Sequence, residues 1–246
     1  MSSPSTQRPP ASPIPTAARP ATSRPPQPPT WALKVVMAVT GSTFVAFVLF
    51  HMAGNLKVYI GQSDFDHYAH WLRGLFNPLV PGQGVLWILR AVLALFLLAH
   101  VLSGITIWYR ARRARGPHAR KILPRRISAR TMIWTGLILG CFIIFHLLDL
   151  TLGRQPFAST DFVEGSAYAN LISSFQRTPV AFFYALTMLL LALHISHGIW
   201  SVINDLGGTG KRLRQIWFII AGVIAAVVVI GNLSIPIAVQ IGYLHL

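Results

Sequence analysis

Five stretches of the chain, about 31 to 54, 85 to 109, 130 to 152, 179 to 204 and 216 to 241, are apolar almost without interruption. A helix rises about 1.5 Å per residue, so roughly 20 residues cross a hydrocarbon core of about 30 Å, and each stretch is that long. The runs are continuous rather than split into alternating ten-residue segments, which predicts helices and excludes the strands of a barrel. The fold class expected is therefore an all-α integral membrane protein with five transmembrane helices.

The polar positions inside these runs carry the chemistry. Each of the first four spans holds one histidine well inside its apolar run, namely His51, His100, His146 and His194. Ionisable groups at membrane depth are costly and mark a site or a path, with helix-to-helix hydrogen bonding as the bland alternative. The four are also related in pairs. GSTFVAFVLFH, ending at His51, and GLILGCFIIFH, ending at His146, share a glycine and F-x-x-F-H at identical spacing. HVLSGI from His100 and HISHGI from His194 share H-x-x-x-G-I. The offsets are 95 and 94 residues, so the first four spans read as a duplicated helical hairpin.

Counted from the charged ends near Lys34, Arg110, Arg130 and Asp205, His51 and His146 lie about 24 to 26 Å deep. His100 and His194 lie about 15 to 17 Å deep on the same count. Two histidines facing each other at one depth of a four-helix bundle are what bis-imidazole ligation of a b heme requires, and here there are two such levels. The first four helices are thus expected to form a heme-binding bundle. Gly41, Gly104, Gly136 and Gly198 are small enough to leave room for a flat macrocycle or to let helices pack closely. Phe47, Phe50, Phe142 and Phe145 are expected to face lipid or fill packing space.

Other centres fit less well. Two stacked hemes of the bc type need two histidines a heme level apart on one helix, and no span has that spacing. Zinc lacks an acidic third ligand at either level. Cys141 is the only cysteine, so a Rieske-type iron-sulfur cluster would need ligands from a partner subunit. A heme-free transporter using buried histidines as proton relays remains the alternative of a different class. Within HISH, the repeat selects His194 as the ligand. It leaves His197, one turn nearer the charged end, as a contact for a heme propionate or a quinone.

Charge fixes the expected orientation. Residues 1 to 30 hold ten of the 17 prolines with no apolar period, and read as a disordered tail ahead of a membrane domain at 31 to 246. Nothing in the tail has the pattern of a secretory signal. The formal net charge of +15 would suggest nucleic acid in a soluble protein. Here, however, sixteen of the 21 Lys and Arg fall in the tail and first turn, in 110 to 130, or in 210 to 214. These segments share one side of a five-span chain, and five of the six acids lie on the other. The positive-inside rule then gives a cytoplasmic N-terminus and an external C-terminus, with the plasma membrane the expected location. The basic face is suited to anionic lipid or to a docked soluble partner, with no call for nucleic acid.

Five spans, one ligand-like histidine in each of the first four, and H-x-x-x-G-I-W-S from His194 resemble the cytochrome b membrane-anchor subunit of succinate:quinone oxidoreductase in its di-heme form. The resemblance covers about residues 31 to 244. It implies two b hemes, one on His100 and His194 and one on His51 and His146. It also implies a flavoprotein and an iron-sulfur subunit docked on the cytoplasmic face, and reduction of a quinone, with menaquinone the expected type. A quinone slot needs hydrogen-bond donors and a proton source. The polar groups near the outer pair are Asn55, Lys57, His67, His70, Asp149 and Arg154; near the inner pair they are His197, Ser201 and Asp205. The chain itself carries no flavin fingerprint and no cysteine array, and so reads as an electron-transfer and quinone-site subunit rather than a catalytic head. Cytochrome b anchors of hydrogenase or formate dehydrogenase type share these features with different soluble partners.

Overall fold

A computed structural model describes residues 27–114, 124–208 and 210–246. The tail up to residue 26 lies outside the described residues. Seven α-helices run in the order α1 (Thr30–Asn55), α2 (Gln62–Arg73), α3 (Gly84–Arg113), α4 (Pro124–His146), α5 (Ala167–Gln176), α6 (Thr178–Asp205) and α7 (Lys211–Gln240). A 3-10 turn, Leu56–Tyr59, extends α1, and a π-helical turn, Leu147–Thr151, extends α4. There is no strand among the described residues. Helices α1, α3, α4, α6 and α7 are long and apolar enough to cross a membrane. Their outward faces carry large apolar side chains such as Phe50, Phe182, Phe218 and Ile230, each at least 70% exposed. An exterior this apolar over five long helices is what a lipid-facing surface requires.

The two ends of the bundle differ in charge. At the basic end Lys34 pairs with Asp205 at 2.7 Å, Arg110 donates to the Pro28 carbonyl, and Arg214 donates to Asn204. These contacts bring the first turns of α1 and α7 together with the last turns of α3 and α6. At the opposite, acidic end the short helices α2 and α5 pack on each other, α2 also against α3 and α5 against α6 and α7. Neither was expected from hydropathy, because each is too short to span. They are nevertheless where the apolar core is densest, with Val58, Phe65, Tyr168, Leu171, Ile172 and Phe175 packed against Tyr184 and Met188 of α6 and Ile235 and Val239 of α7. Tyr168 N–H donates to Asp66 and its hydroxyl to the His245 carbonyl, tying α5 to α2 and to the C-terminus.

The four histidine-bearing helices form a square. Helix α1 packs on α3 and α6, and α4 packs on α3 and α6. Among the described residues the diagonal pairs, α1 with α4 and α3 with α6, have no substantial backbone contact. Helix α7 lies outside the square against α6 and α1. Its Gly231 faces Met52, whose side chain occupies the place a Cβ would take.

Candidate functional site

The diagonals of that square are bridged by histidine rings. His51 of α1 and His146 of α4 have ring centroids 5.8 Å apart, edge to face. His100 of α3 and His194 of α6 have centroids 6.4 Å apart. These are the pairs that the two repeat offsets pick out. His194 is the member of HISH that faces His100, while His197, one turn on, is half-buried nearer the basic end.

The levels are set by α1 and α4 themselves. Thr40 and Gly41 of α1 meet His100, and Thr135 and Gly136 of α4 meet His194. Eleven helical residues separate Thr40 from His51 and Thr135 from His146, which places the two pairs about 16 Å apart along the helix axes.

Hydrogen bonding at the basic-end pair fixes the form of each imidazole. Thr40 Oγ1 lies 2.6 Å from the Val36 carbonyl and 2.9 Å from His100 Nδ1. A hydroxyl has one proton and a carbonyl has none, so Thr40 donates to Val36 and accepts from the Nδ1–H of His100. Thr135 repeats the arrangement, donating to the Met132 carbonyl at 3.0 Å and accepting from His194 Nδ1–H at 3.0 Å. Both imidazoles are thereby held as the tautomer whose Nε2 lone pair is unprotonated, the form that ligates a metal. Gly41 and Gly136 complete the seat. A Cβ on either would stand 3.4 or 3.5 Å from the Cε1 atom of the facing histidine, so the ring edge approaches the glycine closely.

At the acidic-end pair the same logic runs through different residues. His146 Nδ1 lies 3.2 Å from the Tyr184 hydroxyl, which lies 3.0 Å from Asp149 Oδ2. Tyr184 donates to the carboxylate and accepts from His146, again leaving Nε2 unprotonated. Asp149 is fully buried. Its Oδ2 also accepts from Ser174 at 2.6 Å, and its Oδ1 pairs with Arg177 at 2.6 Å. The π-helical turn begins at the residue after His146, its Leu152 N–H reaching the Leu147 carbonyl at 2.8 Å. Gly153, two residues past the end of that turn, has a positive φ of 60°, and the Phe162 ring lies against its backbone. Among the described residues His51 has no counterpart to Tyr184. It stacks on Phe47 at 5.4 Å, as His146 stacks on Phe142 at 5.8 Å. Phe50 faces lipid at 78% exposure, and Phe142 and Phe145 pack against Tyr184.

The other candidates spread over the acidic end. Asn55 and Lys57 close α1, with Lys57 Nζ 5.6 Å from the ring of Tyr68. His67 and His70 are exposed on α2, and Arg154 is exposed after the π-helical turn. Asp149 alone of this set is joined to a histidine pair. Arg90 is held over Trp87, and Asp205 is taken by Lys34.

Sequence reasoning passed over Thr40, Thr135, Tyr184, Ser174 and Arg177. The threonines had a signal, because the repeat extends one residue further: Thr40-Gly41 and Thr135-Gly136 stand at the same distance from His51 and His146. Arg177 had a weaker one, as a basic residue at the acidic end of the fourth span.

No group of three or more His, Cys, Asp or Glu fit to hold a bare metal ion occurs among the described residues. A porphyrin-held iron needs only two protein ligands. An imidazole nitrogen binds a first-row metal at about 2.0 to 2.1 Å, so two such rings opposed across one iron have centroids about 6 Å apart. Both observed separations fall near that value, and the Nδ1 bonds of His100, His194 and His146 hold those three rings in the tautomer suited to it.

Residues 110–231 match the family model of the succinate dehydrogenase/fumarate reductase transmembrane subunit. The match takes in about half of the chain, from the end of α3 through most of α7, and includes His146 and His194. No curated protein and no solved structure matches the chain. The chain belongs to the succinate dehydrogenase/fumarate reductase transmembrane subunit family.

Proposed function

We propose, with that membership as the premise, that this chain is the di-heme cytochrome b anchor of a succinate:quinone oxidoreductase, passing electrons from a docked iron-sulfur subunit to a membrane quinone. The observation that carries the reading is the pair of diagonal histidine contacts in one four-helix square, each backed by a hydrogen bond that frees Nε2. His100 and His194 would hold one b heme and His51 and His146 the other, each supplying a one-electron carrier. The first hairpin, with His51 and His100, lies outside the matched residues, so the duplication and the ring pairing carry those two positions.

The chain's own residues do the rest. Thr40 and Thr135 orient the basic-end imidazoles, and Tyr184 orients His146. The apolar helices exclude water from both levels, and the charge asymmetry sets direction. With the basic end cytoplasmic, Arg110, Arg112, Lys211 and Arg212 face the side where the flavoprotein and iron-sulfur subunits dock, and His100 and His194 form the first level met from there. His197 suits a propionate or quinone contact on that side. Quinone, with menaquinone the expected type, is placed at the acidic end, where Asn55, Lys57, His67, His70 and Arg154 offer donors and proton routes to the outside. Asp149, fully buried and bonded through both oxygens, serves His146 instead of touching quinone.

The test is a visible spectrum with a potentiometric titration of the protein purified with its soluble partners. Two b-type reduced-state bands are expected, with loss of one in His194→Ala and of the other in His51→Ala. A featureless spectrum in a complex that retains its partners would remove the reading in favour of a heme-free membrane subunit. Co-purification of hydrogenase or formate dehydrogenase subunits would reassign the partners.

A further inference from the structure

The acidic-end pair contains a feature that ligation alone does not require. Asp149 is a carboxylate at a fully buried position, which is unfavourable unless its ion pair and hydrogen bonds are complete. Here they are complete. Arg177 holds Oδ1, Ser174 and Tyr184 donate to Oδ2, and the Tyr184 oxygen receives the proton of His146 Nδ1. The chain therefore runs from an anchored carboxylate through a phenol to one ligand-like imidazole.

We propose that Tyr184, polarised by Asp149, is a positioning residue that makes His146 a stronger electron donor and lowers the redox potential of the acidic-end heme. This rests on the di-heme reading above. A hydrogen bond from Nδ1–H to an acceptor that is itself bonded to a carboxylate draws the imidazole toward its anion, raising ligand basicity and favouring the more positive iron. The effect is local to one ring of one pair. His51, the repeat-equivalent residue, is held by the Phe47 stack, and the basic-end imidazoles donate to hydroxyls whose own acceptors are neutral carbonyls. A purely structural role would be to tie the α5–α6 junction, which bears Ser174 and Arg177, onto the end of α4. Tyr184→Phe separates the two roles. It keeps the ring that packs on Phe142, Phe145 and Phe175, and leaves the Asp149–Arg177 pair and the Ser174 bond in place.

The experiment is a potentiometric titration of the intact complex followed at the reduced-state band, comparing wild type, Tyr184→Phe and Asp149→Asn. The couple to watch is the one lost in His146→Ala. In Tyr184→Phe its potential is expected to rise by about 59 mV, a tenfold shift of the one-electron equilibrium toward ferrous iron, while the other couple stays put. Asp149→Asn is expected to move the same couple in the same direction, and it decides the matter if Tyr184→Phe does not accumulate. An unmoved couple, a fall, or an equal shift of both couples overturns the proposal. A wild-type complex without b heme would instead remove the di-heme reading itself, and is told apart by the starting spectrum.

Discussion

Each histidine pair joins two repeat-equivalent residues, but only the basic-end pair is symmetric in what surrounds them. At the basic end each imidazole has the same seat, a threonine on Nδ1 and a glycine beside Cε1, supplied by the equivalent turn of α1 or α4. At the acidic end the phenylalanine stacks are kept but the Nδ1 partner exists on one side, where it leads to a buried carboxylate and an arginine. The difference teaches where the two halves of the duplication are held to one design. The basic-end pair uses residues inside the duplicated helices. The acidic-end pair borrows Ser174 and Arg177 from the α5–α6 junction, whose short helix α5 interrupts the second hairpin.

The largest way to break the comparison is to remove a ligand-like ring. His100→Ala and His194→Ala should each abolish the same spectral species, and His51→Ala and His146→Ala the other, with no partial retention. His197→Ala should keep both species with at most a shifted potential. Low-spin signals counted by electron paramagnetic resonance check this. Loss of the same species in His51→Ala and His100→Ala would dissolve the diagonal pairing.

Next in size is the asymmetry itself. Arg177→Ala leaves the Asp149 carboxylate buried without its cation, a change that typically costs about 3 to 5 kcal/mol. The variant should show a sharply lowered thermal midpoint in detergent and poor accumulation. Removing both charges together, in Arg177→Met with Asp149→Leu, should recover much of that loss, because the uncompensated charge is gone. No basic-end substitution short of the histidines should cost as much, since no buried charged side chain lies there among the described residues.

A smaller effect probes the symmetric pair. Thr40→Val and Thr135→Val keep the side-chain shape but remove the acceptor from an imidazole N–H in the bundle interior, at a cost of about 1 to 3 kcal/mol each. The tautomer is also no longer fixed, so heme retention at the basic end should fall by about 10- to 100-fold. The two variants should match each other. A large effect from one and none from the other, measured as heme-to-protein ratio, would show that the basic-end pair has diverged as well.

Much of this arrangement was legible because the membrane simplifies it. In an apolar solvent only continuous runs span, so five helices followed from hydropathy, and four polar exceptions in four runs pointed to one another through the repeat. Helices α2 and α5 were not legible, since they are amphipathic caps at a water-facing end where no hydrophobic-length rule applies. Tyr184 was hidden for a related reason. A tyrosine in an apolar helix reads as packing until a fold shows what its hydroxyl meets, and Asp149 with Arg177, 28 residues apart in sequence, reads as two loop charges. The π-helical turn beside His146 likewise has no signature in the apolar run that contains it.

The smallest expected effect sharpens the likeness of the two halves. Gly41→Ala and Gly136→Ala each add one methyl that meets the Cε1 of the facing imidazole at 3.4 and 3.5 Å, about van der Waals contact. Neither glycine has the positive φ that only glycine readily adopts. The threonine beside each glycine holds Nδ1, so the methyl meets a ring that is already fixed. Helix propensity favours alanine over glycine by about 1 kcal/mol, offsetting any slight crowding. Both variants should therefore keep the pair intact, with thermal midpoints close to wild type and to each other. Retention of heme at the acidic end but its loss at the basic end, in both variants, would mean that the glycines are kept small for the macrocycle as well as for the imidazole. Loss in one variant alone would show that the two seats, alike in distance, differ in what lies against them.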